Sequence, residues 1–180
     1  MAEFALRLAV PDDASSMARV HVAAWRIGYA GLLPDSTLAG LSQEVRERMW
    51  NESLLERQYA GLLREIEVAT VDAAVVGFVA SGTAVPHDPV ERAGEVYAIY
   101  VHPDWWSRGI GGALLSSATQ RLRHLGMETG RLWMVRGNSR AQEFYNRAGW
   151  SLDGKSRVAK MVGLPDVPMA LAEVRFSRQF

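Results

Sequence analysis

Hydrophobic and polar residues recur along this 180-residue chain with two different periods, which predicts a protein that mixes strands and helices. Apolar residues at helical spacing follow Pro11, and a second helical region begins at Ser42 and runs towards Leu63. Residues 109–124 and 139–148 have further amphipathic helical patterns. Short apolar or alternating runs predict strands at residues 4–8, 67–71, 75–81, 95–101, 131–136, 150–152 and 168–176.

The order of these elements predicts a mixed sheet. Two strands joined at Asp72-Ala73 are expected to form an antiparallel hairpin, whereas strand–helix–strand connections imply parallel neighbours. With 48% hydrophobic residues the chain can bury one substantial core. Residues 1–180 are therefore expected to form a single domain of the α/β class, with a mixed sheet.

The charge and cysteine content exclude several classes of function. Twenty basic and twenty acidic residues give no net charge, so neither nucleic acid nor a membrane is an expected partner. The absence of cysteine excludes a disulfide framework, thiolate metal sites and a cysteine nucleophile. No apolar run approaches membrane-spanning length, and the N-terminus lacks the pattern of a signal peptide, so a cytoplasmic location is expected.

One segment has the pattern of a phosphate-binding turn. The apolar run that ends at Val101 passes a proline turn, reaches Gly109, Gly111 and Gly112, and continues as an amphipathic helix. Glycine lets the backbone approach a bulky anion, and a helix N-terminus presents unpaired N–H groups and a positive dipole end. The segment therefore predicts a pyrophosphate site. A dinucleotide fingerprint is excluded, because Leu114 stands where its last glycine is required.

A second glycine-rich segment, Gly149–Ser156, matches the phosphate-loop pattern Gly-x-x-x-x-Gly-Lys-Ser/Thr. That motif works only between a strand and a following helix, whose N-terminus completes the phosphate site. Here residues 139–148 are predicted to be a helix that Gly149 ends, so the order is reversed. The match is interpreted as chance, with a β-turn expected at Asp153-Gly154.

The first segment resembles the coenzyme A site of the GNAT N-acetyltransferase superfamily, whose signature is Gln/Arg-x-x-Gly-x-Gly/Ala after a strand. Residues Trp106–Gly111 follow this pattern except that Trp106 replaces Gln or Arg. A second block, Asn138–Trp150, resembles the family element Asn-x-x-Ala-x-x-Phe/Leu-Tyr-x-x-x-Gly-Phe/Trp. The resemblance implies a GNAT fold, in which a strongly twisted mixed sheet of six or seven strands is flanked by about four helices. It also implies that the strands at Glu95 and Arg131 are parallel and splay apart to admit pantetheine.

The same resemblance implies an N-acetyltransferase that uses acetyl-CoA as co-substrate and needs no metal. Tyr145 matches the family tyrosine beside the thioester sulfur and is the expected general acid. Glu95 stands six residues before Val101, where histone-type members carry a catalytic glutamate, and is the expected base. His102 is the next candidate, although a surface role is favoured. Residues expected at the co-substrate are Ile99, Tyr100, Val101, Ser107, Arg108, Gly109, Ile110, Gly111, Gly112, Asn138 and Tyr145.

The acceptor is less well defined by the sequence. Residues 25–34 resemble a segment, Trp-x-x-x-Tyr-x-Gly-Leu-Leu-Pro, of uncharacterised bacterial GNAT members, which implies that Trp25 and Tyr29 lie near the acceptor. A core position for Trp25 and a core or pocket position for His21 remain alternatives. The expected acceptor is a small-molecule amine or a peptide N-terminus, and a homodimer is possible. A catalytically silent acyl-CoA-binding module and a phosphate-loop nucleotide binder are the competing functions.

Overall fold

A computed structural model describes residues 3–56, 58–59, 62–84, 92–160 and 170–180. The helices are α1 (Ala14–Gly28), α2 (Asp35–Ala39), α3 (Gln43–Leu55), α4 (Ile110–His124) and α5 (Ser139–Arg147). The strands are β1 (Ala5–Leu8), β2 (Gln58–Tyr59), β3 (Leu62–Val71), β4 (Ala74–Thr83), β5 (Ala93–Val101), β6 (Thr129–Val135), β7 (Ser151–Lys160) and β8 (Ala170–Gln179).

The strands form one mixed sheet in the order β1-β3-β4-β5-β6-β8-β7, and the short β2 pairs with β3. β5 and β6 are parallel and are connected through α4, whereas β3–β4, β4–β5, β6–β8 and β7–β8 are antiparallel. The hairpin between β3 and β4 turns at Asp72 and Ala73, whose φ angles of 47° and 65° suit a two-residue turn. The predicted mixed sheet and its hairpin are confirmed.

β5 and β6 pair over only part of their length. Their register runs from Ala93 opposite Thr129 to Val96 opposite Leu132. Beyond that point β5 continues along β4, and β6 continues along β8. The pairing of β4 with β5 also shifts at Tyr97. Val96 pairs with Ser81 and Ala98 pairs with Ala80, so Tyr97 is an extra residue of β5 without a partner on β4. The predicted parallel and splayed strands are thus present, and their divergence opens the sheet at its centre.

Helices cover both faces of the sheet. α4 buries Leu114, Leu115, Ala118 and Leu122 against one face, in a core shared with α5. α1 and α3 pack against the other face through residues such as Met17 and Trp50. The predicted cap of α3 is present, because the Ser42 hydroxyl accepts a hydrogen bond of 3.2 Å from the Val45 amide. Apolar stripes at helical spacing therefore build a core on each side of the sheet.

Two predicted features differ from the structure. The second helical region ends at Leu55 instead of continuing towards Leu63, and the short α2 precedes it. The β-turn predicted at Asp153-Gly154 is wrong, because both residues lie within β7, at a register shift against β8. Gly154 adopts φ 83° there, and the Asp153 carboxylate accepts a hydrogen bond from the Lys155 amide. The local turn chemistry is real, but pairing with β8 incorporates it into a strand as a bulge.

Candidate active site

A cleft of about 1010 Å³ opens where β5 and β6 diverge. Its walls come from the end of α1, the C-terminal half of β5, the turn before α4, one side of α4, β6 and α5. Of the residues predicted at the co-substrate, the cleft is lined by Ile99, Tyr100, Val101, Ser107, Gly109, Gly111, Gly112, Asn138 and Tyr145. Residues far apart in the sequence are thus assembled around one opening.

The N-terminus of α4 forms one end of the cleft. Gly109 is its N-cap, with φ 85° and no side-chain hydrogen bond to the helix, and Ser107 has φ 61°. The first N–H groups of a helix have no intrahelical acceptors, so they remain available to an anion. A Cβ added at Gly111 would lie 3.4 Å from the ring of Phe144. A Cβ at Gly109 or Gly112 would meet nothing within 4 Å, so these glycines leave the backbone of the turn uncovered.

Two other residues of this turn do not line the cleft. Ile110 is 2% exposed and packs in the core beneath α4, so it can contribute only its backbone amide. The exposed Arg108 guanidinium lies 4.6 Å from the ring centre of Trp105.

Trp106, which departs from the family signature, donates a hydrogen bond of 2.7 Å from Nε1 to the Val101 carbonyl. That bond ties the turn back to the end of β5.

Two of the predicted residues belong to α5 and its N-terminal cap. Tyr145 is 8% exposed and packs against the rings of Phe144 and Phe176. Burial raises the pKa of its phenol well above the ordinary value, so the hydroxyl keeps its proton throughout the neutral range. Asn138 caps α5 by accepting a hydrogen bond of 3.0 Å from the Ala141 amide. Its side-chain NH₂ group is not needed for that cap.

Glu95 lies near the start of β5, on the opposite face of the sheet from α4. The added Cβ of Gly94 would meet Leu122 of α4, and side chains alternate along a strand, so Glu95 points the other way. Burial raises the pKa of Glu95 to about 7; Glu173 also raises it, whereas Arg157 and Arg175 lower it. Glu95 is not among the residues that line the cleft. A group bound in the cleft would therefore need an intermediary, such as a water molecule, to exchange a proton with Glu95.

The two predicted acceptor residues separate in the structure. Tyr29 lines the cleft, and burial raises the pKa of its phenol. Trp25 is 6% exposed, contacts the Tyr29 ring at 4.8 Å between centroids, and belongs to a core with Leu33 and Leu38. Trp25 therefore occupies a core position, which was the alternative to an acceptor contact.

Both candidate histidines have structural partners. His21 is buried, accepts a hydrogen bond of 3.1 Å from Trp50 Nε1 at its Nδ1, and stacks on Tyr100 at 4.5 Å. Burial lowers the pKa of His21, so the ring is neutral. His102 Nδ1 accepts a hydrogen bond of 3.4 Å from the Asp104 amide, at the start of a single 3-10 turn. His102 is not among the cleft-lining residues, in keeping with its predicted surface role.

Sequence reasoning missed a carboxylate whose charge acts on Glu95, Tyr29 and Tyr100. Glu173 of β8 is bound by Arg157 of β7 at 2.6 Å. The charge of Glu173 raises the pKa of Glu95, and it contributes to the raised pKa of Tyr29 and Tyr100. No local sequence signal identifies this carboxylate, because only the pairing of the last strands brings it near β5.

The segment that matches the phosphate-loop pattern, Gly149–Ser156, lies between a helix and a strand, as predicted. Gly149, with φ 78°, follows the end of α5, and its amide donates to the Asn146 carbonyl. Lys155 lies in β7, so the pattern runs from helix to strand. The helix N-terminus that a phosphate loop requires does not follow it. The segment is therefore a helix end joined to a bulged strand.

A model of the acetyltransferase (GNAT) family matches residues 27–150 of the chain. The chain belongs to this family. An N-acetyltransferase of Archaeoglobus fulgidus is 29% identical over 141 residues, which cover 78% of this chain and 88% of that protein. The mycothiol acetyltransferase of Propionibacterium freudenreichii is 38% identical over 78 residues, 43% of this chain and only 24% of that longer protein.

Solved GNAT structures have the same fold. The PaiA N-acetyltransferase of Thermoplasma acidophilum, crystallised with coenzyme A, superposes with a TM-score of 0.73 at 18% identity and covers 99% of both chains. YncA of Salmonella typhimurium, determined with acetyl-CoA, gives a TM-score of 0.65 at 18% identity, covering 98% of this chain and 93% of YncA. The predicted GNAT fold is confirmed, as is the prediction of an acetyltransferase at the level of the family.

None of the helices in the described residues is long and apolar enough to cross a membrane. Within the same ranges, no group of three or more histidine, aspartate or glutamate side chains is arranged to hold a metal ion.

Proposed function

We propose that this GNAT protein transfers the acetyl group of acetyl-CoA to a primary amine, by direct attack of the amine on the thioester. The observation that carries the proposal is the cleft between β5 and β6, with an uncapped helix N-terminus at one end and Tyr145 in its wall. The proposed location is cytoplasmic, and residues 1–180 are proposed to form a single domain.

The shape of the cleft is suited to the co-substrate. The pyrophosphate would bind the backbone amides from Ser107 to Gly112, where Gly109 and Gly111 leave the main chain uncovered. The pantetheine arm would lie along Ile99–Val101, since that edge of β5 has no pairing with β6 beyond Val96. Asn138 would contact the arm with the NH₂ group that its helix cap leaves available.

Acetyl transfer needs a proton donor for the leaving thiolate. Tyr145 is proposed as this acid, because its raised pKa keeps the phenol protonated and it lies in the cleft wall. The carbonyl oxygen of the thioester gains negative charge as the amine attacks. Backbone N–H groups of Ile99–Val101 on the free edge of β5 are proposed to stabilise that charge.

The attacking amine must also lose a proton. Glu95 is the proposed base, because a carboxylate with a pKa of about 7 is partly ionised and still basic at neutral pH. Its position outside the cleft lining suits transfer through a bound water rather than direct contact. One proton would pass from the ammonium form of the amine through water to the Glu95 carboxylate before attack. The free amine would then form the C–N bond as the C–S bond breaks, the thiolate would take a proton from Tyr145, and the second proton on nitrogen would leave to water, from which Tyr145 regains its proton.

The acceptor is proposed to be a small-molecule amine or a peptide N-terminus. The acceptor is proposed to bind beside Tyr29 and Tyr100, which line the cleft. The Glu173 carboxylate lies close enough to raise the pKa of both phenols. An aromatic wall beside a carboxylate favours an amine that arrives as a cation. The Arg157 partner of Glu173 limits this preference, so a singly charged amine is favoured over a polyamine.

The test is a thiol-release assay with acetyl-CoA and a panel of amines, together with calorimetric titration of acetyl-CoA and ATP. Amine-dependent release of CoA and binding of acetyl-CoA are expected. Binding without release for any amine would favour a silent acyl-CoA-binding module. Binding of ATP that is lost in Lys155→Ala would instead favour the phosphate-loop function and refute the proposal.

A further inference from the structure

Trp106 occupies the position at which the GNAT signature has glutamine or arginine, so this chain lacks a polar side chain there. The indole is fixed at one edge, because Nε1 donates to the Val101 carbonyl at 2.7 Å. Its face is occupied by Arg140 of α5, whose guanidinium carbon lies 3.6 Å from the ring centre. Both side chains line the cleft together with Gly109 and Gly111.

Arg140 differs from its neighbours in having no anionic partner. Among the described residues, no carboxylate lies within ion-pair distance of Arg140, whereas Arg147, about two turns further along α5, pairs with Glu143 at 2.9 Å. A guanidinium on an indole face is held in orientation while its N–H groups stay available for an anion. The arrangement is therefore a positioned cation at the wall of a glycine-lined cleft.

We propose that Arg140, oriented by Trp106, binds the pyrophosphate of CoA and so replaces the polar side chain missing from position 106. This inference rests on the proposed use of acetyl-CoA. Trp106 acts as a positioning residue, because its ring supports the guanidinium and its N–H fixes the turn that precedes α4. The Arg140 guanidinium would contact the phosphate from α5, and the backbone N–H groups at the N-terminus of α4 would donate the other hydrogen bonds.

The experiment is calorimetric titration of CoA and dephospho-CoA into wild-type protein and Arg140→Ala, at low and high ionic strength. Loss of a charge-assisted contact should weaken binding of both ligands by roughly tenfold, and less at high ionic strength. The control is Arg136→Ala, which removes the same charge from an exposed residue outside the cleft lining and should leave affinity within about twofold. In the transfer assay, Arg140→Ala should raise the KM for acetyl-CoA and retain kcat.

A second variant tests the role of Trp106. In a Trp106→Leu background, Arg140→Ala should cost little further affinity, because the guanidinium has already lost its support. Equal affinities of wild type and Arg140→Ala would refute the inference and leave the proposed function intact. A loss for CoA but not for dephospho-CoA would move the contact to the 3′-phosphate and refute the pyrophosphate assignment. Absence of CoA binding by the wild type would refute the proposed function, and this inference with it.

Discussion

Replacing Glu95 with glutamine is the most informative test of proton transfer. Burial raises the pKa of this carboxyl from 4.5 to about 7, so the ionised fraction changes steeply around neutral pH. If Glu95 is the base, the wild-type rate should rise with pH through about 7 and level off above it. Glutamine has nearly the same shape but cannot accept the proton, so turnover at neutral pH should fall by ~10²-fold. The rate of the variant should recover partly at high pH, as more of the amine is already unprotonated.

The same substitution has a consequence for stability. The folded state binds the Glu95 proton more tightly than the unfolded state, so its stabilising contribution is complete below about pH 4.5 and is lost as the pH rises through about 7. For a fully buried group this pKa difference corresponds to about 3 kcal/mol, which is an upper bound for the partly exposed Glu95. Glu95→Gln carries no such cost, so its free energy of unfolding relative to wild type should increase with pH over that interval.

The measurements are pH profiles of kcat and of kcat/KM, and urea unfolding of both proteins over the same pH range. Glu128→Gln is the matched control, because Glu128 is an exposed carboxylate beside β6 whose removal should change the rate less than about twofold. If Glu95→Gln raised only the KM of the acceptor and kept the pH profile, Glu95 would be a binding carboxylate and not the base. A stability difference that did not vary with pH would refute the raised pKa itself.

Three further substitutions test the rest of the site. Tyr145→Phe removes only the hydroxyl, so turnover should fall, at the lower end of the ~10²–10⁴-fold expected for an acid, with acetyl-CoA affinity nearly unchanged in calorimetry; full activity would exclude Tyr145 as the acid. Gly111→Val adds methyl groups beyond a Cβ that would itself make ordinary contact with Phe144 at 3.4 Å. These methyl groups should keep the pyrophosphate from the backbone, so acetyl-CoA affinity should drop at least about tenfold while circular dichroism stays native; unchanged affinity would remove the basis of the phosphate site. Lys155 lies in a bulged strand outside the cleft lining, so Lys155→Ala should leave both acetyl-CoA affinity and transfer rate near wild type.

The strand–turn–helix unit from Glu95 to His124 could be predicted from the sequence because its determinants are local. Apolar periodicity marks the strand and the helix, and a glycine cluster marks the place where the backbone must turn with positive φ. The structure places Gly109 at φ 85° as the N-cap of α4. Asn138 and Tyr145 were found by resemblance to a family block, and the spacing of one helix brings both to the same cleft.

Other features arise only when segments distant in the chain meet. Asp153 and Gly154 have the local chemistry of a turn, yet pairing with β8 makes them part of a ten-residue strand. The contact of Arg140 with Trp106 joins residues 34 positions apart, and the charge of Glu173 acts on Glu95 although β6 lies between their strands. Local preferences depend on a few neighbouring residues, so the sequence determined the elements and the glycine turn before α4. Strand pairing, burial and the charges that raise the pKa of Glu95 depend on tertiary packing, so only the folded chain decided them.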